Sequence, residues 1–328
     1  MRLRIFWIDV VKVIAIIMVA LAHVLWLFEQ GLGTVSAFSD AFLTVNRVVA
    51  SLGVPLFMMV SGALLLGKKF EAPKDVLSFY KKGLFPLFVT AEIWIVIYCL
   101  LNLHPFSVKE LLLCITFIHK PEVHLWYVRL IVIYYLMLPL IKLLLCKKNF
   151  FMALLLAIFA FTFLYNGWLI WKGNVCPTST SRSYFCYLDY MAVGYVLAKS
   201  NVTKKCVCIL AALGILGGYV LYHSLLNSSY FLWYDNPMLA VVAISLFCLL
   251  RYLFSSVSGR ECLVEISKMS YGIYLSHFIL IYFVQTKIQD CNFVAFYGVL
   301  FAILCVDIFL IFAVKKYLPI VSKILFRF

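Results

Sequence analysis

Long apolar runs alternate with short basic connectors along most of this 328-residue chain. A helix needs roughly 20 apolar residues to cross the hydrocarbon core of a bilayer. Ten segments approach or exceed that length: 6–28, 46–66, 83–102, 126–146, 150–170, 184–198, 206–224, 236–254, 271–287 and 293–314. The sixth is short and carries Asp189, which makes it the weakest of the set. The runs are continuously apolar, whereas the strands of a membrane barrel alternate apolar and polar residues over about ten positions. The pattern therefore predicts an all-α polytopic membrane protein of about 10 transmembrane helices. Residues 1–328 read as a single transmembrane domain without a soluble domain, and the longest connectors lie near 29–45, 103–125 and 171–183.

Composition sharpens this reading. The chain is 65% hydrophobic and only 13% charged, with a mean hydropathy of +1.04. A soluble domain is nearer half apolar and a quarter charged, and a disordered chain is polar. The net charge of +14 is then unusual, because basic chains often bind nucleic acid. Here the basic loops lack an interleaved aromatic platform, so membrane lipids rather than nucleic acid are the expected neighbours. The charge instead marks topology. Of the 28 basic residues, 20 lie in connectors on the N-terminal side of the ten spans and 6 on the other. The positive-inside rule places both termini in the cytoplasm. The first run resembles a secretory signal, with Ala20 and Ala22 in a cleavage-like arrangement, but Asp9 and Lys12 interrupt its apolar stretch. It reads as a retained span.

Several motifs fail on inspection. Gly62 to Lys68 matches the start of a P-loop, but Lys69 stands where Ser or Thr would hold magnesium. The eleven cysteines form neither a C-x-x-C pair nor a cluster with zinc spacing, so no metal site is expected. Cys176 and Cys186 would face an oxidising compartment and are either paired or free. Gly214, Gly217 and Gly218 suit close helix packing.

Charges inside a bilayer are costly and mark candidate function. The first span carries Asp9, Lys12 and His23. Asp9 and Lys12 are three apart, near enough to pair on one helix face. His23 lies eleven residues beyond Lys12, just over three turns and roughly 16 Å along the axis, on the same face. Sorted by predicted depth, His23, Arg47, His124, Trp126, Arg129, Asp189 and His223 lie toward the outside. Glu92 and Asn166 lie deeper, and Ser61, Tyr271, Tyr274, His277 and Asp307 lie toward the cytoplasm. Arg129, one turn inside its span, is either functional or an anchor that snorkels outward.

The opening R-I-F-W-I-D-V-V-K-V-I-A-I-I-M-V-A-L-A-H resembles the first helix of the membrane acyltransferase 3 family. Three further segments follow in the family's order: G-V-P-L-F-M-M-V-S-G-A-L-L at 53–65, H-L-W-Y-V-R-L-I-V-I-Y-Y-L-M-L-P-L at 124–140 and S-Y-G-I-Y-L-S-H at 270–277. Within the family the chain is similar in look to the stand-alone enterobacterial common antigen O-acetyltransferase type, without an SGNH esterase-like domain. One departure is that Lys12 replaces the family's arginine, which keeps the charge but loses the bidentate fork.

The resemblance implies a short acyl group, as acetyl, taken from cytoplasmic acyl-CoA, with no permanently bound cofactor. It implies a sugar hydroxyl of a cell-envelope or lipid-linked glycan as acceptor, in the inner membrane of a bacterium. His23 would be the general base, or would carry the acyl group covalently, with Asp9 a further catalytic residue at the far end of the same stripe. Arg129, or an amide dipole near it, would stabilise the oxyanion. Lys12, Ser61, Tyr271 and His277 would form the donor side, with Lys12 on the phosphates of CoA. His124, Trp126 and Arg47 would face the acceptor. The rival reading is a polytopic transporter or flippase, although paired, broken helices near the midplane are not evident. A scaffold without chemistry would not need the polar stripe.

Overall fold

Twenty-six residues from Phe6 to Gly31 form one uninterrupted helix, α1, free of proline and of glycine before its end. The computed structural model describes residues 4–31, 39–101, 107–116, 123–146, 157–172, 185–226, 232–285 and 293–327, and every regular element among them is helical. After α1 come α2 (Asp40–Ser51), α3 (Gly53–Leu65) and α4 (Pro73–Phe79). A π-helical turn, Tyr80–Leu84, joins α4 to α5 (Phe85–Leu100). Then follow α6 (Val108–Ile115), the 3-10 turn Val123–Leu125 and α7 (Trp126–Cys146). A second π-turn, Ala160–Leu164, opens α8 (Tyr165–Trp171). The remainder is α9 (Cys186–Lys199), α10 (Lys204–Leu226), α11 (Pro237–Phe254), α12 (Glu261–Gln285), α13 (Phe293–Tyr317) and α14 (Pro319–Phe326).

Local chemistry sets several of these starts. Ser39 caps α2 by accepting from the Phe42 amide at 3.3 Å. Asn236 caps α11 by accepting from Met238 and Leu239, and Pro237 occupies the first helical position, where no N–H is required. The Asp75 carboxylate accepts from the Glu71 and Ala72 amides at the start of α4.

Among the described residues, six helical stretches are long and apolar enough to cross a membrane: 6–29, 40–65, 73–100, 204–226, 237–254 and 293–317. Trp126–Ile141 and Ala157–Leu169 are shorter apolar helices. The chain is thus a multi-pass membrane protein, helical throughout its described regular elements. Boundaries differ from the hydropathy reading in three places. The span read at 46–66 is two helices, α2 and α3, meeting at Leu52. The span read at 83–102 starts at Pro73, with a π-turn inside it. The span read at 271–287 starts at Glu261, because its polar early turns lower the hydropathy without breaking the helix. Two short helices, α6 and α14, lie outside every predicted span.

Two compact units divide the chain. The first holds residues 1–68, 147–267 and 288–300, the second 69–146, 268–287 and 301–328. In the first, α3 lies against α9 at reciprocal glycines. A Cβ on Gly62 would collide with the backbone of Met191, and one on Gly194 with the backbone of Met59. Only hydrogen side chains permit this approach, the device that packs helices where lipid removes the hydrophobic drive. Gly194→Ala should therefore destabilise the fold by about 1–3 kcal/mol, the usual cost of overpacking. A thermal-unfolding scan in detergent checks this, and an unchanged midpoint would remove the close approach from the packing account.

In the second unit, α5 reaches the final turn of α14. Thr90 Oγ1 donates to the Ile324 carbonyl and Trp94 Nε1 to the Leu325 carbonyl, both at 2.8 Å. These carbonyls end a helix and have no amide ahead of them to accept from. Tyr98 Oη donates to the Leu275 carbonyl at 2.7 Å, which fixes α5 against α12.

Candidate functional site

The candidate residues fall five to each unit: Asp9, Lys12, His23, Arg47 and Ser61 in the first, His124, Trp126, Arg129, Tyr271 and His277 in the second. In the first unit α1 carries the polar stripe on an unbroken rod. Asp9 is 4% exposed. Its carboxylate accepts from Arg4 Nε at 2.8 Å and Arg4 Nη2 at 2.7 Å, and from Ser267 Oγ at 2.6 Å. Lys12 interacts with Asp9 electrostatically, but the direct partners of the carboxylate are Arg4 and Ser267. A planar guanidinium covers both carboxylate oxygens at once, which a lysine ammonium one turn further along the same helix does not match. The hydrogen bonds to Asp9 hold the Arg4 guanidinium above its ordinary value. Arg4 Nη2 also donates to the Val264 carbonyl at 3.3 Å, so the start of α1 is tied to α12.

Lys12 and His23 are half-buried on α1. Their separation along the helix is the roughly 16 Å predicted, because no kink intervenes. Arg47 pairs with Glu29 at 2.8 Å, with about half of its side chain exposed. That is the geometry of a surface ion pair linking α1 to α2. Ser61 is half-buried on α3, next to the packing glycine Gly62.

In the second unit the two histidines meet. His124 and His277 are fully buried, with ring centroids 5.5 Å apart. This corrects the predicted depths, which placed His124 outside and His277 toward the cytoplasm. The two rings share one depth, so the predicted separation does not hold. α12 starts at Glu261, before the predicted span, and sets His277 sixteen residues, about 24 Å, along the helix. Aromatic rings enclose the pair: Phe278 stacks on His124 at 4.6 Å and Tyr98 meets it edge-on at 5.3 Å. Tyr274 Oη donates to the His124 carbonyl. His277 Nδ1 lies 2.9 Å from the Ile273 carbonyl, so that nitrogen carries a proton and donates it.

Tyr271 donates to the Leu87 carbonyl at 3.3 Å, beneath the Arg327 guanidinium 5.9 Å from its ring. Trp126 and Arg129 are half-buried at the start of α7. Arg129 and Glu92 of α5 interact electrostatically. Neither Glu92 carboxylate oxygen has a hydrogen-bond partner among the described residues. Cys186 is a buried free thiol, while Cys176 lies outside the described residues.

Sequence reasoning missed Arg4 and Ser267. Arg4 had a signal, a cation just before a helix that carries an acid in its first turn. Ser267 had none, since 258 residues separate it from Asp9.

Chemically, the first unit offers a clamped carboxylate, a lysine and an imidazole in series on one helix. The second offers two buried imidazoles in an aromatic enclosure. Both suit proton transfer at neutral pH. Neither a curated protein nor a solved structure matches the chain. A family model does: the acyltransferase domain matches residues 5–312. With that match over nearly the whole chain, and with its long apolar helices, the protein belongs to the acyltransferase 3 family of membrane acyltransferases.

Proposed function

We propose that this protein is an O-acyltransferase, specifically an O-acetyltransferase, of the enterobacterial common antigen type in the inner membrane of a bacterium. It spans the membrane ten times with both termini in the cytoplasm, moving acetyl from cytoplasmic acetyl-CoA to a hydroxyl of an envelope or lipid-linked glycan. The observation that carries the reading is α1. One unbroken helix holds Lys12 toward the basic-connector side and His23 three turns beyond it, with Asp9 clamped by Arg4 and Ser267 at its start.

Acyl transfer needs three things from these residues. The donor's phosphates need a cation, supplied by Lys12 with the basic connectors around it. The acceptor hydroxyl is a weak nucleophile and needs a base, supplied by His23. The base must stay at a fixed depth, and the Arg4–Asp9–Ser267 clamp anchors the helix that carries it. In the reaction His23 takes the hydroxyl proton as the acceptor oxygen attacks the thioester carbonyl. The new C–O bond forms, the C–S bond breaks, and the sulfur leaves as the thiol after taking the proton from the imidazolium.

Membranes containing the protein, supplied with radiolabelled acetyl-CoA, should transfer label to glycan. Absence of label with any acyl-CoA would favour the transporter reading. In the same assay Lys12→Ala should raise the KM for the donor, with kcat nearly kept, and Lys12→Arg should be tolerated. Unchanged donor KM in Lys12→Ala would remove the phosphate role.

A further inference from the structure

An apolar groove of about 360 Å³ opens on the surface of the second unit. Leu84, Phe85 and Phe88 form one wall, and Val132 and Leu136 of α7 form the other. Tyr80 and Lys81 close one end. Phe85 and Leu136 are 64% and 55% exposed, so the groove is open to its surroundings. Its geometry follows from the backbone. Residues 80, 84 and 88 and residues 81 and 85 recur at helical spacing, which places them on one side of the π-turn and α5. Pro139 withdraws its N–H from α7 and loosens the turn before it. A carbonyl in that turn, that of Leu136, accepts from Tyr80 Oη at 2.8 Å and pins the two walls together.

The stretch from Pro73 to Leu100 has 28 residues. That is about 42 Å of helix, a dozen Å more than the hydrocarbon core. Its polar first turns are the part suited to headgroups, and the continuous apolar run begins at Leu84. Lys81 and Lys82, both exposed, mark the boundary. From Lys81 to Phe88 the groove runs about 10 Å along the helix, from a cation to a wholly apolar wall. A cation at headgroup level above an open, wholly apolar trough has the charge and shape of one occupant.

We propose that this groove binds an anionic phospholipid, with the phosphate on Lys81 and one acyl chain between α5 and α7. It is a site apart from the acyl-transfer residues, and its occupant is a component of the membrane rather than a substrate.

Native mass spectrometry of the full-length protein, with added phosphatidylglycerol or phosphatidylcholine, tests this. A one-to-one phosphatidylglycerol adduct should outlast the phosphatidylcholine adduct. Lys81→Glu should weaken phosphatidylglycerol about fivefold or more, as expected for a lysine at a lipid surface. Lys205→Glu, a reversal at an exposed lysine of the first unit, should leave it unchanged. Leu136→Trp fills the groove from an exposed position and should remove the adduct of both lipids. Equal binding of the two lipids by the wild type would overturn the proposal. So would an equal loss in Lys205→Glu, or an adduct that survives Leu136→Trp.

Discussion

Replacing His23 with alanine is expected to lower acyl transfer about 10²–10⁴-fold, the usual contribution of a positioned general base. The loss should fall on kcat, with the KM for the CoA donor nearly unchanged, because His23 lies roughly 16 Å along α1 from Lys12. His23 is half-buried, so the truncation opens no large void in the core and the thermal midpoint should stay within a few degrees of wild type. His23→Gln is the sharper comparison. It keeps most of the volume and a hydrogen bond but takes up no proton, so it should be as inactive as alanine. Activity near wild type in His23→Gln would assign the histidine to packing. Label trapped on the wild-type protein, and lost with either substitution, would show that the ring carries the acyl group itself.

The second large effect is on stability, and it has a direction. Arg4→Ala should destabilise the protein more than Asp9→Asn does. Asp9 is 4% exposed, whereas the Arg4 side chain is 45% exposed. Removing the arginine leaves a buried carboxylate with Ser267 as its one remaining hydrogen-bond donor among the described residues and Lys12 as a more distant cation, while removing the acid leaves a guanidinium that can turn to water. Breaking a buried pair costs about 3–5 kcal/mol; discounted for the exposed partner, about 2–3 kcal/mol is expected for Arg4→Ala. Adding Asp9→Asn to Arg4→Ala should restore part of that loss, since it removes the stranded charge. Thermal unfolding of the two single variants and the double variant measures the coupling. A double variant as unstable as the sum of the singles would show that Arg4 and Asp9 do not act as a pair.

What the sequence disclosed follows a physical line. Apolar run length is a one-dimensional property, and α1, α10, α11 and α13 lie within a few residues of where it placed them. Helix register is also local, so the Lys12–His23 spacing could be computed directly. Hydropathy loses a helix where its turns become polar without a breaker, as at Glu261–Ser270. Partners distant in the chain were not legible. Ser267 on Asp9 and the His124–His277 pairing depend on tertiary contact, to which no local pattern points. The π-turns were equally hidden, since neither carries a residue that announces one.

The reciprocal glycines set a timetable for assembly. Gly62 and Gly194 are separated by 132 positions. A ribosome adds roughly 5–20 residues per second, so α3 waits on the order of ten seconds in the membrane before α9 emerges to cover its bare backbone. During that interval the small-residue face must be shielded by lipid or by the insertion machinery. A side chain at either glycine would not hinder insertion of its own helix. It would act later, when two helices already in the bilayer have to close on one another, and would leave an inserted chain whose first unit is unassembled and open to membrane proteolysis.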